Sequence, residues 1–523
     1  MNNWGAIKVG GSYFAAISAL DESFLITVVD SETEKVVMQC PMEMMFIKTV
    51  KDFVNFIPKF FTNFKAVILH LFYFQTSEYS NMVEFRKELK EKLDAIKKPN
   101  HFMEEEECFL SYLINSNIVK VNRGERFVYI SNCEEDEICV SEYQLTANGY
   151  KKGEERRMGG MKSKNDSTIS QVIYGPNNPK RIILPKDKLN PSAFKRLQSI
   201  CSKEKNVTIF EMSEIFPKTI VDAGKWILNG KNQSQRPIIP FCVQTCSMGY
   251  ECPDGTYVPL TTIEAVETLP ITKNFYTSKF LNELVVFLHD AHDNPVVTLA
   301  TIPTVSDCHR NRFIFTVNKE NFPIYNVQRS IINEICDLPT KLNNALKSKI
   351  PVIGFCDNFS IISVYKEDIK CYKCLDEWNG LFGKDFCVSF DREKPEFCEK
   401  AKEKLESKRT SVVFDLLQIM SQKPENIKIC EFWGFTITKD DENPVLIEFD
   451  NFDGTKKVAS PAFLVAFLLK EHIKAIKKET GKKPEKLGFW SFDEYNKEEK
   501  MRIQKGLEEA CKLLKIQCIF VEV

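Results

Sequence analysis

Residues 66–96 read AVILHLFYFQTSEYSNMVEFRKELKEKLDAI, and residues 487–516 read LGFWSFDEYNKEEKMRIQKGLEEACKLLKI. Each stretch is an apolar strand, a short Tyr-containing polar break and an amphipathic helix. Residues 67–74 form a continuous apolar run, the pattern of a strand buried on both faces. Phe85, Leu89, Leu93 and Ile96 then recur at helical spacing. A further helix precedes each stretch, over residues 46–61 and 462–478. The second of these has Ser460 as N-cap, Pro461 in its first turn and Gly481 as its stop. A supersecondary unit that recurs at long range indicates two copies of one fold.

The rest of the chain sets that unit in a mixed context. With 523 residues, 43% of them apolar and 40 of them Phe, there is material for about three or four domains. A formal charge of −1 supplies no long-range field, which argues against nucleic acid or an anionic membrane as partner. No segment approaches the roughly 20 apolar residues of a membrane span, and the N-terminus lacks the pattern of a signal peptide. Eighteen cysteines are scattered through strands and helices rather than spaced as a disulfide scaffold, which fits a cytoplasmic or nuclear setting. Cys371 and Cys374 form a lone CxxC without a second pair, so buried strand thiols are favoured over a metal. His289–Asp293 precedes an Asn-Pro pair and reads as a polar turn. Six histidines in all argue against a His-based catalytic machine.

Along the chain, residues 4–38 form a strand meander around Gly10-Gly11. Glu104–Glu107 opens a helix, its acids suiting the N-terminal end of the dipole. Residues 127–130 and 137–145 form a hairpin, and residues 151–168 a polar loop or mobile excursion. A strand at 181–184, a helix at 191–201, a strand at 207–210 and a helix at 217–228 follow. From Pro237 to Val327 turn signals separate short alternating strands, the pattern of an all-β module. Residues 333–348 connect it to a new α/β segment beginning at Pro351.

At this point the sequence resembles a known family, the heat shock protein 70 chaperones. AVILHLFYFQTSEY resembles that family's strand-and-loop, with Ala66, Val67, Tyr73 and Phe74 identical. SEIFPKTIVDAGKWILNG is similar to a family helix, keeping Pro217, Val221 and Gly224. CSMGYE, residues 246–251, is similar to the opening of the family's β-sandwich peptide-binding domain, and residues 311–327 to its closing hairpin. The second copy resembles the first nucleotide-binding lobe alone. The resemblance therefore implies actin/heat-shock-ATPase-like α/β lobes plus an all-β sandwich peptide-binding-like domain. It divides the chain into a reduced first lobe (1–120), a reduced second lobe (121–235), the sandwich (236–332) and a second copy of the first lobe (349–523).

Chaperones of this family hold ATP between two lobes, with Gly-rich hairpins approaching the phosphates. The resemblance implies nucleotide-site remnants at Gly10, Ser12, Tyr13, Glu104, Gly159 and Gly160. It also implies losses: Lys8 replaces the hairpin Asp, residues 131–136 carry acids and no Gly, and Lys186-Asp187-Lys188 replaces a Gly pair. In the second copy Asn358-Phe359 replaces Gly-Thr, and Leu417 falls where the family has Lys. Losing one positioned charge typically costs about 3–4 kcal/mol of transition-state stabilisation. The expectation is a pseudo-ATPase with no catalytic residues, no metal and a lost nucleotide cycle, ATP and Mg binding only if the degenerate site survives. Met248, Tyr250 and Cys252 fall on the strand that lines the family's groove, where they serve either a peptide or the sandwich core. The function implied is a chaperone-related protein that binds unfolded or extended polypeptide, or a scaffold docking an intact heat-shock chaperone. The alternative is a working ATP-dependent folding chaperone.

Overall fold

A computed structural model describes residues 11–20, 23–42, 47–134, 136–187, 189–202, 206–232, 237–252, 254–289 and 297–522. Its organising feature is one sheet pattern used three times. The first sheet runs in the order Val36–Pro41, Ser23–Asp30, Tyr13–Leu20, Ala66–His70, Asn100–Phe102. The second runs Gly149–Gly159, Glu137–Thr146, Arg126–Glu134, Arg181–Pro185, Val207–Phe210. The third runs Cys371–Cys374, Phe359–Lys366, Val352–Cys356, Lys486–Ser491, Gln517–Phe520. In each, the first three strands form an antiparallel meander, and the remaining two add in parallel to its innermost strand. Parallel neighbours need a crossover, and a helix supplies it: Met82–Ala95, Pro191–Cys201 and Lys497–Leu514 connect the last two strands of the three sheets. Ala66–His70 is buried at all five positions, which is why it is continuously apolar.

The two copies legible in the sequence are therefore three in the structure. The middle one was hidden by its edge strand. Residues 151–168 are not a loop: Gly149–Gly159 is an eleven-residue strand and Asp166–Tyr174 a helix. Lys151, Glu154 and Arg157 are exposed along that strand. Charges on an edge strand discourage pairing with other chains and also erase the apolar alternation by which a strand is recognised.

The first two sheets exchange helices. Glu105–Asn115 follows the first sheet yet packs Phe109, Leu110 and Leu113 with Phe127, Tyr129 and Tyr143 of the second. Met212–Leu228 follows the second sheet yet packs Ile220, Val221 and Ala223 on Phe14, Ala16 and Ile68 of the first. Gly224 makes this contact possible, because a Cβ there would lie 2.4 Å from the Phe14 ring.

Strands from Cys246 to Ser330 form one four-stranded and one three-stranded antiparallel sheet. Met248 and Val286 of the first share a core with Phe313 and Phe315 of the second, as in a β-sandwich. The helix Asn333–Ala345 leads from the sandwich to the third sheet. Residues 375–459 interrupt the third unit with two small three-stranded sheets before the helix Pro461–Thr480. Ser460 caps that helix through its side chain, and Gly481 ends it at φ 76°.

Candidate functional site: the cleft between the first two sheets and the joints around it

The cleft is built where the exchanged helix Glu105–Asn115 starts. Glu104 stands at its N-cap position, just past the strand Asn100–Phe102. Tyr73, which follows Ala66–His70, is 68% exposed, and the nearby charge of Glu104 adds to the rise that burial of its hydroxyl causes. Oε1 of Glu104 is buried without a hydrogen-bond partner. Burial pushes the Glu104 carboxyl up to about 8; Lys152 pulls it down, while Glu106 and Glu107 add to the rise. A carboxylic acid held neutral at pH 7 is a poor ligand for a divalent cation.

The opposite wall comes from the second sheet. The Tyr143 hydroxyl donates to Glu106 Oε1 at 2.6 Å. Lys152 is 7% exposed and lies 3.1 Å from Glu155 and 3.8 Å from Glu106. Burial opposes its charge, but Glu106, Glu155 and Glu104 outweigh it and raise the ammonium above its ordinary value. Arg157 also bonds Glu155, at 2.9 Å, so the cations beside these acids are committed to them.

The residues read from the sequence as a nucleotide site lie on separate elements. Gly10, with Lys8, lies outside the described residues. Tyr13 begins the strand Tyr13–Leu20, which pairs antiparallel with Ser23–Asp30. Ser12 bonds Ser31 through both its carbonyl and its hydroxyl. The second hairpin does turn where the sequence indicated, after Glu134 paired with Glu137. Gly159 ends the edge strand and Gly160 turns it, at φ 68°. The amides that follow are occupied: Met161 donates to the Asp136 carbonyl at 3.2 Å and Lys162 to its carboxylate at 3.1 Å.

Carboxylates of the chain also take the first amides of two helices. Asp187 accepts from the amides of Met212 at 2.6 Å and Ser213 at 2.8 Å. Burial works against its charge, but those amides outweigh it and hold the carboxyl below its ordinary value. Glu78 takes the first two amides of the helix Val50–Phe60, at 2.8 and 3.0 Å. Helix N-termini are ready-made anion sites; here the anion is a side chain of the protein.

In the third unit the tip of the first hairpin, Asp357-Asn358, is clamped from two sides. Arg310 of the sandwich donates to both Asp357 oxygens at 2.9 Å and to Asp493 at 3.2 Å. The Asp357 amide donates to Asp493 at 2.8 Å. Asn358 pairs with Asp415, whose carboxylate also accepts from the Trp433 indole at 2.6 Å. Leu417 is buried in the core of this unit. Cys356, Asp357 and Asp493 lie close enough to share a metal ion, but the Arg310 guanidinium already bonds both acids there.

The expected peptide groove is closed as well. Met248 is fully buried in the sandwich core, so it cannot line a groove. The Tyr250 ring stands 5.4 Å from Phe432, and Phe432 lies under the Arg409 guanidinium at 4.3 Å. Cys252 is 6% exposed. Residues of the third unit therefore cover the outer end of this strand. Arg310, Asp493, Lys152 and Tyr143 were not singled out from the sequence; only Asp493 carried a signal, in the polar break of the repeated unit. No protein-family model matches the chain, and no curated protein matches it. Among the described residues no helix is long and apolar enough to cross a membrane.

Proposed function

We propose that the chain is a heat-shock-70-like scaffold: three actin-like ATPase lobes and a peptide-binding-like sandwich that have lost the nucleotide cycle and dock a partner polypeptide, an intact heat-shock chaperone in the first instance. The thrice-repeated sheet order supports the kinship of the lobes. One observation carries the functional part. In the two turns described where the resemblance would have backbone amides face a phosphate, a carboxylate of the chain takes an amide: Asp136 takes that of Lys162, beside Gly159-Gly160, and in the third unit Asp493 takes that of Asp357. A polyphosphate would have to displace these groups and then sit beside their charge. The sandwich is fixed too, held by Arg310 on one side and by Glu320 on the other, where Glu320 bonds Lys90 and His101 of the first unit. A joint fixed at both ends favours a static platform over a cycling peptide clamp.

Thermal unfolding with and without Mg-ATP tests the reading. A ligand at 100 times its Kd adds about 2.7 kcal/mol, so an upward shift would overturn it. Co-purification of an intact heat-shock chaperone, with unchanged melting in Mg-ATP, is the expected result. Protection by an extended apolar peptide alone would favour a passive holdase instead.

A further inference from the structure

The three-stranded sheet of the sandwich ends at Pro323–Ser330, which pairs with Arg310–Val317 on one side and with no strand among the described residues on the other. The Asn318 amide donates to the Phe322 carbonyl at 3.1 Å and closes this hairpin. Counting in twos from that bonded pair, Ile324, Asn326 and Gln328 turn their amides and carbonyls towards the neighbouring strand. Tyr325, Val327 and Arg329 turn theirs outwards. Proteins blunt such edges with bulges, charges or a cover. The sandwich edges Tyr257–Ile263 and Val297–Pro303 are bulged, and Lys273 ties the edge Ile271–Ser278 to the Thr262 carbonyl. Pro323–Ser330 instead keeps an unbroken register over eight residues. Its one charge, Arg329, is already paired with Asp307 at 2.9 Å. A cavity of about 390 Å³ opens beside the start of this edge. Phe322, Ile324 and Tyr325 form its sandwich wall, and Ile324 and Tyr325 are 52% and 38% exposed. Lys87, Lys90, Glu91 and Asp94 of the helix Met82–Ala95 form the other wall. Lys90 is committed to Glu320 at 3.1 Å, which leaves Lys87 against Glu91 and Asp94 and makes that wall negative on balance.

We propose that Pro323–Ser330 is a docking edge for an extended, basic and aliphatic segment of a partner polypeptide. The segment adds to the sheet as a further strand, places an aliphatic side chain in the cavity and brings a Lys or Arg to Glu91 and Asp94. This names the surface by which the scaffold would hold its partner, and it rests on the reading that the chain docks polypeptide. Main-chain hydrogen bonds to Tyr325 and Val327 supply the affinity, while the cavity and its acids supply the selectivity. The Lys90–Glu320 pair already joins the helix wall to the hairpin, so the segment meets a preformed site and little ordering opposes its binding.

The probe is a fluorescein-labelled nonapeptide of alternating valine and threonine with lysine at both ends, added to the full-length protein and followed by fluorescence anisotropy. It should bind saturably, and the same peptide N-methylated on alternate amides should bind about tenfold more weakly, because those amides carry the pairing. Hydrogen exchange at Tyr325 and Val327 should be fast in the free protein and slow with the peptide bound. Val327→Pro removes an outward N–H without touching the ladder and should abolish binding. Glu91→Lys, at an exposed helix position, should weaken binding about fivefold, the worth of an exposed ion pair, and keeps the test open where the proline variant does not fold. Absence of binding, equal binding of the N-methylated peptide, or protection that falls on Cys246–Glu251 instead would overturn the proposal. So would slow exchange at Tyr325 and Val327 in a free protein of dimeric mass, which would mean that a second copy covers the edge. Melting raised by Mg-ATP with peptide binding intact would overturn the lost nucleotide cycle and leave this edge standing. Co-purification of an intact chaperone without peptide capture would do the opposite.

Discussion

The Arg310 guanidinium holds both carboxylate oxygens of Asp357 at 2.9 Å, across the joint between the sandwich and the third unit. Arg310 is part of the strand Arg310–Val317, while Asp357 is a hairpin tip with φ 47°. The bidentate fork fixes the orientation of the joint as well as its distance.

Arg310→Leu should destabilise the chain. It removes charge-assisted hydrogen bonds worth about 1.5–3 kcal/mol and leaves Asp357 beside Asp493. Burial and then Asp357 already push the Asp493 carboxyl up to about 6, so without the guanidinium its charge is opposed further. Urea unfolding at pH 7 should show the loss, and Asp357→Asn in the Arg310→Leu background should recover part of it. An unchanged midpoint would mean the joint is held by apolar contacts alone.

Glu104 predicts a pH dependence of the opposite kind to ordinary acid denaturation. Its folded value of about 8 lies above the roughly 4.3 of an unfolded Glu. Between the two the folded state binds the extra proton, so stability falls as pH rises through that window. Glu104→Gln should leave stability near pH 4 unchanged and raise it at pH 8.5, flattening the profile measured by thermal unfolding across that range.

Glu320 should behave conversely. Burial raises its carboxyl, but the His101 bond and the charges of His101, Lys90 and Lys231 outweigh it and hold it at about 2. Its stabilisation is present above the unfolded value and is lost as pH falls towards 2. Glu320→Gln should cost about 2–3 kcal/mol at pH 7, the worth of charge-assisted hydrogen bonds, and roughly half of that at pH 3, where the folded carboxyl is still ionised. Chemical unfolding of both variants at the two pH values measures the difference.

How much of this was legible in the sequence depended on how local the cause was. The helix Pro191–Cys201 and the strand Val207–Phe210 have the bounds that apolar spacing gave them, and the Ser460 cap acts on the amide of Phe463, three residues away. The strand Gly149–Gly159 was missed because its edge charges imitate a loop. Arg310 and Asp357 are 47 residues apart, and nothing near either one announces the other. Asp136 and Asp187 read in the sequence only as acids where glycine was expected; their bonds to the amides of Lys162, Met212 and Ser213, about 25 residues on, come from the tertiary fold.

Gly224 gives the sharpest test of the helix exchange. In an ordinary helix interior, Gly→Ala gains about 1 kcal/mol from backbone entropy. Here the new methyl would lie 2.4 Å from the Phe14 ring, and Phe14 is 1% exposed, with no free direction to move. Overpacking of this kind costs about 1–3 kcal/mol, so the sign should reverse. Gly224→Ala should lower the melting temperature, and Phe14→Leu combined with it should recover more than the sum of the single changes allows. Residues in contact couple in this way, while distant ones add. A stabilised Gly224→Ala would mean that Met212–Leu228 stands off the first sheet, and the exchanged packing would have to be redrawn.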